Sequence, residues 1–148
     1  MKVDKDKVSA YGVHIFTATG CVFGFMCMLS IFAGDIRAAF LWLGISFAVD
    51  SIDGFLARKV NVSENAPNIS GEILDSIIDF WNYSLNPVLI LWWFEYLPSS
   101  VSIYVCIIVL TTSLYCFVNT NMKVDEGEYF QGWPVCYNVV ALYFYILN

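Results

Sequence analysis

Four apolar stretches, 11–34, 36–57, 71–97 and 100–120, dominate the chain, and each is long enough to cross a hydrocarbon core, which takes about 20 helical residues. A fifth starts at Pro134 and reaches Asn148 short of a full span. Backbone in lipid has no water to bond, so stretches of this kind fold as helices packed side by side. The expected class is all-α integral membrane: a bundle of four complete transmembrane helices plus part of a fifth, forming one domain over 1–148 that is incomplete at its C-terminal end. With 59% hydrophobic and only 14% charged residues, an ordinary soluble globule is excluded.

The few charges orient the bundle. Lys2, Lys5 and Lys7 precede the first stretch, Arg58 and Lys59 follow the second, and Lys123 follows the fourth. The positive-inside rule therefore puts the N-terminus and the 58–70 loop in the cytoplasm, with Arg37 outside. The net charge of −6 comes without a basic patch, so no nucleic-acid partner is expected. Five cysteines lack metal-site spacing and are read as packing residues.

Against this apolar background, Asp50, Asp53, Asp75 and Asp79 stand out. An ionised residue deep in a bilayer costs about 2.5–3.5 kcal/mol on insertion scales, so four without compensation would cost on the order of 10 kcal/mol. Arg58 and Lys59 are too few to balance them, and bound divalent metal is the economical answer. At 100° per residue, Asp50, Asp53, Gly54 and Ala57 share one helical stripe, and Gly71, Asp75 and Asp79 share a stripe of the next helix, so two acidic faces can meet. The second stripe continues through Asn82 and Asn86, which suit interhelical hydrogen bonds, and Pro87 should bend the segment beyond. Small residues at Gly54, Ala57 and Gly71 leave room between the helices for a phosphorylated ligand.

These residues carry a family resemblance. Asp50-x-x-Asp53-Gly54-x-x-Ala57-Arg58, a twelve-residue gap, and Gly71-x-x-x-Asp75-x-x-x-Asp79 resemble the signature of the CDP-alcohol phosphotransferases, eight positions at set spacing. The long gap, the VHIFTATG segment at 13–20, the FQGWP stretch at 130–134 and Tyr137-Asn138-Val139-Val140 resemble the bacterial phosphatidylcholine synthase subgroup. Family members have six or more spans, so the resemblance implies that this chain is cut short.

The resemblance further implies a Mg²⁺- or Mn²⁺-dependent enzyme with a two-metal site, held by Asp50, Asp53, Asp75 and Asp79. Asp79 would double as catalytic base, and Gly54, Ala57, Arg58 and Gly71 would line the nucleotide. The substrates would be CDP-diacylglycerol and choline, and the products phosphatidylcholine and CMP. A homodimer surrounded by membrane lipid, in a bacterial inner membrane with its active site facing the cytoplasm, is the implied setting. The signature defines only the shared half of the reaction, so serine, inositol and glycerol 3-phosphate remain alternative acceptors. Taken without the resemblance, the intramembrane aspartates also fit a cation transporter or channel.

Other residues read more weakly. His14, with Thr17 one turn on, is placed to touch a nucleotide, but a lone histidine near a helix end is more often packed or interfacial. Trp81, Tyr83, Trp92, Trp93 and Tyr96 offer rings for a quaternary ammonium, yet aromatics near span ends more often form interfacial belts.

Overall fold

The computed structural model describes residues 5–119, 123–124, 129–130 and 135–147. Lys2, the loop acids Asp125, Glu126 and Glu128, and 131–134 of the FQGWP stretch lie outside the described residues.

The first two apolar stretches form a helical hairpin. Helix α1 spans Lys5–Phe32 and α2 spans Ile36–Lys59, about 42 Å and 36 Å long at 1.5 Å per residue. The reversal between them uses Gly34, whose φ of 75° suits a residue without a side chain, and Asp35, whose carboxylate accepts from the Ala38 N–H at 3.0 Å and caps α2. Both helices are long and apolar enough to cross a membrane.

The twelve-residue gap folds too. Asn61 adopts a left-handed conformation, φ 48°, which asparagine tolerates better than most residues, and opens the short helix α3, Val62–Asn65. Val62 and Ala66 pack against Ala10 and Val13 of α1, and the Asn65 side chain donates to the Val60 carbonyl at 2.9 Å. Ser70 then caps α4, Gly71–Asp79.

The third apolar stretch is helical without a break but not uniform. After α4 comes a π-helical turn, Phe80–Leu85, and then α5, Asn86–Trp93. Its irregularity lies before Pro87 rather than beyond it. Proline lacks an N–H and its ring crowds the carbonyl four residues back, and the preceding turn widens so that the Asn86 N–H bonds the Trp81 carbonyl, five residues away. The segment stops at Trp93, earlier than the expected 97.

The remaining elements are shorter. Helix α6 spans Ser102–Val118, 17 residues, and α7 spans Tyr137–Leu147, 11 residues. Among the described residues, then, two helices reach membrane length uninterrupted, against the four complete spans that the apolar stretches imply. A two-residue ladder, β1 at Lys123–Val124 opposite β2 at Tyr129–Phe130, is antiparallel with Lys123 facing Phe130. Strands this short leave no periodicity to read in a sequence.

One close contact sets how the third segment lies on α1. The Asn82 side-chain amide donates to the Gly20 carbonyl at 3.2 Å and to the Ile78 carbonyl at 3.0 Å, and the Asn86 amide donates to the Gly24 carbonyl at 2.9 Å. A Cβ at Gly20 would stand 2.7 Å from Ile78 Cγ2, and one at Gly24 would stand 2.9 Å from Asn82 Oδ1. Small residues here let the backbones approach and bring the amides into range. Beyond this contact, Cys27, Ile31, Ala39, Leu43, Ile90, Leu91 and Ala141 form the apolar core.

Gly20→Ala and Gly24→Ala should each destabilise the protein by about 1–3 kcal/mol through overpacking. Gly12→Ala, where an added Cβ meets nothing within 4 Å, should leave stability unchanged. Thermal unfolding in detergent, comparing the three variants with the wild type, checks this.

Candidate active site

At the end of the bundle where α1 and α4 begin and α2 finishes, a cavity of about 590 Å³ opens between the helices. Helix α1 supplies Val13, His14 and Thr17, α2 supplies Asp50, Asp53, Gly54, Ala57 and Arg58, and α4 supplies Gly71, Glu72 and Asp75. Residues 61–64, in and around α3, close another side. The four residues expected to line a nucleotide, Gly54, Ala57, Arg58 and Gly71, thus border one space. Gly54 keeps its wall open, since a Cβ there would meet only the Arg58 guanidinium, at 3.7 Å.

The acidic stripes of α2 and α4 meet. One carboxylate oxygen from each of Asp50, Asp75 and Asp79 lies within 4.8 Å of the others. Asp53 is not part of that group. Its side chain is buried on the same cavity wall, hydrogen-bonded to the Thr17 side chain of α1. Asp79 lies one turn deeper than Asp75 and outside the cavity lining.

Three converging carboxylates are a hard, all-oxygen donor set, the chemistry that suits Mg²⁺ or Mn²⁺ rather than a soft metal. Their surroundings fit as well. The Tyr83 hydroxyl donates to Asp50 Oδ2 at 2.8 Å, an outer hydrogen bond of the kind that fixes the orientation of a ligating carboxylate. The sequence places Tyr83 among aromatics for an ammonium pocket. The signal for its present role was its spacing, four residues past Asp79 and so on the same face.

Trp92, Trp93 and Tyr96 stand at the other end of the bundle, around a second cavity with Glu95. Trp93 packs edge-on against Phe32, 5.1 Å between ring centres, and both tryptophans are exposed, as an interfacial belt requires. All five cysteines are free thiols.

His14 is better placed than the sequence indicated. It is 5% exposed, and its Nε2 is buried with no hydrogen-bond partner among the described residues, a condition that costs about 1–3 kcal/mol. Its ring occupies the space beside Gly71, with Cε1 3.1 Å from where a Cβ would stand.

The family model for CDP-alcohol phosphatidyltransferases matches residues 13–148. The chain belongs to the CDP-alcohol phosphatidyltransferase family. Among similar proteins, the phosphatidylcholine synthase of Pseudomonas aeruginosa is 38% identical over 143 residues, covering 97% of this chain and 60% of the relative. Those of Brucella melitensis and Borreliella burgdorferi are each 36% identical, over 99% and 95% of this chain and 53% and 58% of the relatives. The chain thus spans between half and two thirds of the length of these relatives. No solved structure matches it. The family typically depends on a divalent metal, and this chain has an aspartate group able to bind one.

Tyr83→Phe removes the hydrogen bond to Asp50 and keeps the ring, so divalent-ion affinity should fall about 10–100-fold. Titration calorimetry with Mn²⁺ on the purified protein checks this, and unchanged affinity would remove Tyr83 from the site.

Proposed function

We propose that this chain carries the reaction centre of a phosphatidylcholine synthase, transferring the phosphatidyl group of CDP-diacylglycerol to choline. The observation that carries the reading is the convergence of Asp50, Asp75 and Asp79 beside a cavity bordered by Gly54, Ala57, Arg58 and Gly71. The choice of choline rests on the relatives, which are phosphatidylcholine synthases at 33–38% identity.

In this reading the choline oxygen attacks the phosphorus that bears diacylglycerol, the bond from that phosphorus to the oxygen of CMP breaks, and CMP leaves. Asp79 takes the proton of the choline hydroxyl as general base. Asp50, Asp75 and Asp79 would hold Mg²⁺ or Mn²⁺, and Asp53, outside that group but on the same cavity wall, would complete the ligand set of a two-metal site. Bound divalent ions supply positive charge to the diphosphate and to the leaving phosphate. Arg58 gives paired hydrogen bonds to phosphate, which its planar guanidinium suits better than a lysine would. Gly54 and Ala57 keep the wall low enough for the nucleotide to lie against the backbone. Apolar helix faces around the site receive the acyl chains.

The same reading makes the third apolar stretch and α6 membrane spans and α7 the start of a fifth, in a homodimer. It places the protein in a bacterial inner membrane, with the cavity and the 58–70 loop at the cytoplasmic side. Six of the seven basic residues then face the cytoplasm, which supports the orientation.

Two measurements test the reading. With CDP-diacylglycerol, Mn²⁺ and equal choline, serine, inositol and glycerol 3-phosphate, the protein in vesicles should release CMP and make phosphatidylcholine as the dominant product. Another dominant lipid would change the acceptor and keep the transfer, whereas cation flux without CMP would replace the enzyme by a transporter. Asp79→Asn should lower turnover about 10²–10⁴-fold while CMP still binds. Near-normal turnover would take the base role from Asp79.

A further inference from the structure

His14 is a buried imidazole with no task in the reaction above. It lies on the buried stripe of α1, between Ala10 and Thr17, and its ring forms part of the cavity wall. An apolar side chain of similar size would fill the same volume without desolvating a polar atom. The chain instead places a polar ring there and leaves Nε2 without a partner among the described residues. It also keeps a glycine opposite, because any side chain at position 71 would press on the imidazole, whose Cε1 and Nδ1 lie 3.1 Å and 3.7 Å from the Cβ position.

Depth along α4 selects the ligand. Gly71 precedes Asp75 by four residues and Asp79 by eight, about 6 Å and 12 Å along the helix axis. In the transfer reading, a diphosphate beside Asp50, Asp75 and Asp79 with their divalent ions would have its acyl chains toward the lipid and its nucleoside toward the end where α4 begins, at the level of His14 and Gly71. The nucleoside offers neutral donors and acceptors, the ribose hydroxyls and the base edge, which a ring nitrogen of an imidazole can match.

We infer that His14 is a nucleoside-recognition residue, whose imidazole hydrogen-bonds the cytidine moiety of CDP-diacylglycerol, and that Gly71 makes room for the ring. The inference rests on the phosphatidyl-transfer reading. It gives Gly71 a second duty: besides bordering the nucleotide cavity, it seats the side chain that reads the nucleotide.

CMP binding to the whole protein in detergent with Mn²⁺, measured by titration calorimetry, tests this without requiring turnover. Wild-type protein should bind CMP. His14→Ala and His14→Phe should bind it about tenfold more weakly, the size of one hydrogen bond, with Mn²⁺ affinity unchanged. His14→Gln, which retains a polar group should the apolar variants fail to fold, should stay within about threefold of wild type. Gly71→Ala should weaken CMP binding by displacing the ring, and the double variant His14→Ala/Gly71→Ala should be no better than His14→Ala. The analogue 2′-deoxy-CMP narrows the atom: a His14→Ala penalty that vanishes with it puts the bond on the 2′-hydroxyl, and one that persists puts it on the 3′-hydroxyl or the base edge. Unchanged CMP affinity in His14→Ala overturns the assignment and leaves the transfer reading standing. Wild-type affinity in the double variant would make His14 a spacer and overturn it equally. Failure of wild-type protein to bind CMP would overturn the transfer reading and the role of His14 with it.

Discussion

The structure depends on how closely the third helical segment lies on α1. Gly20 and Gly24 remove the side chains that would hold the backbones apart, and Asn82 and Asn86 bond their carbonyls across the gap. Helices in lipid gain nothing from excluding water, so packing and interhelical hydrogen bonds fix their register. That register turns Asp75 and Asp79 toward Asp50 of α2. Within 4.8 Å of one another, and at an effective dielectric near 20, each pair of charged carboxylates repels by about 3.5 kcal/mol or more. The contact on α1 therefore holds in place a cluster that would otherwise separate, and a divalent ion removes the repulsion that the contact opposes.

The widened turn at Phe80–Leu85 belongs to the same device. Pro87 withholds an N–H from the helix, and the strain is absorbed in the turn that carries both Asn82 and Tyr83. One residue of that turn fastens the segment to α1 and the next orients Asp50. Widened turns of this kind often mark functional sites, and here the irregularity directly follows Asp79.

The cavity joins these features to the proposed chemistry. Asp50, Asp53 and Asp75 line it together with Arg58, Gly71, His14 and the loop around α3. The long gap between Arg58 and Gly71 is thus a wall of the site, held by Asn61, Asn65 and the packing of Val62 on α1. In the proposed reaction a nucleotide there would meet polar groups and oxygen ligands along one cavity, with its lipid chains among apolar helix faces.

The helical class was legible in the sequence because unbroken apolar length permits little else in lipid, and the pairing of acidic stripes was legible because residues at i, i+3 and i+4 share a helix face. The spacing of Gly71, Asp75 and Asp79 determined that these groups could act together, and the asparagines that follow were readable as interhelical donors for the same reason. Tertiary structure alone decided that Asp53 turns to Thr17 while the other three aspartates gather, because the rotation of α2 against α1 and α4 is set by packing that no local pattern records. It also decided that Tyr83 serves Asp50, and that His14 fills the space Gly71 leaves. Each of these joins residues on different helices or far apart in sequence, and the distance between such residues is fixed only when the helices that carry them have closed on one another.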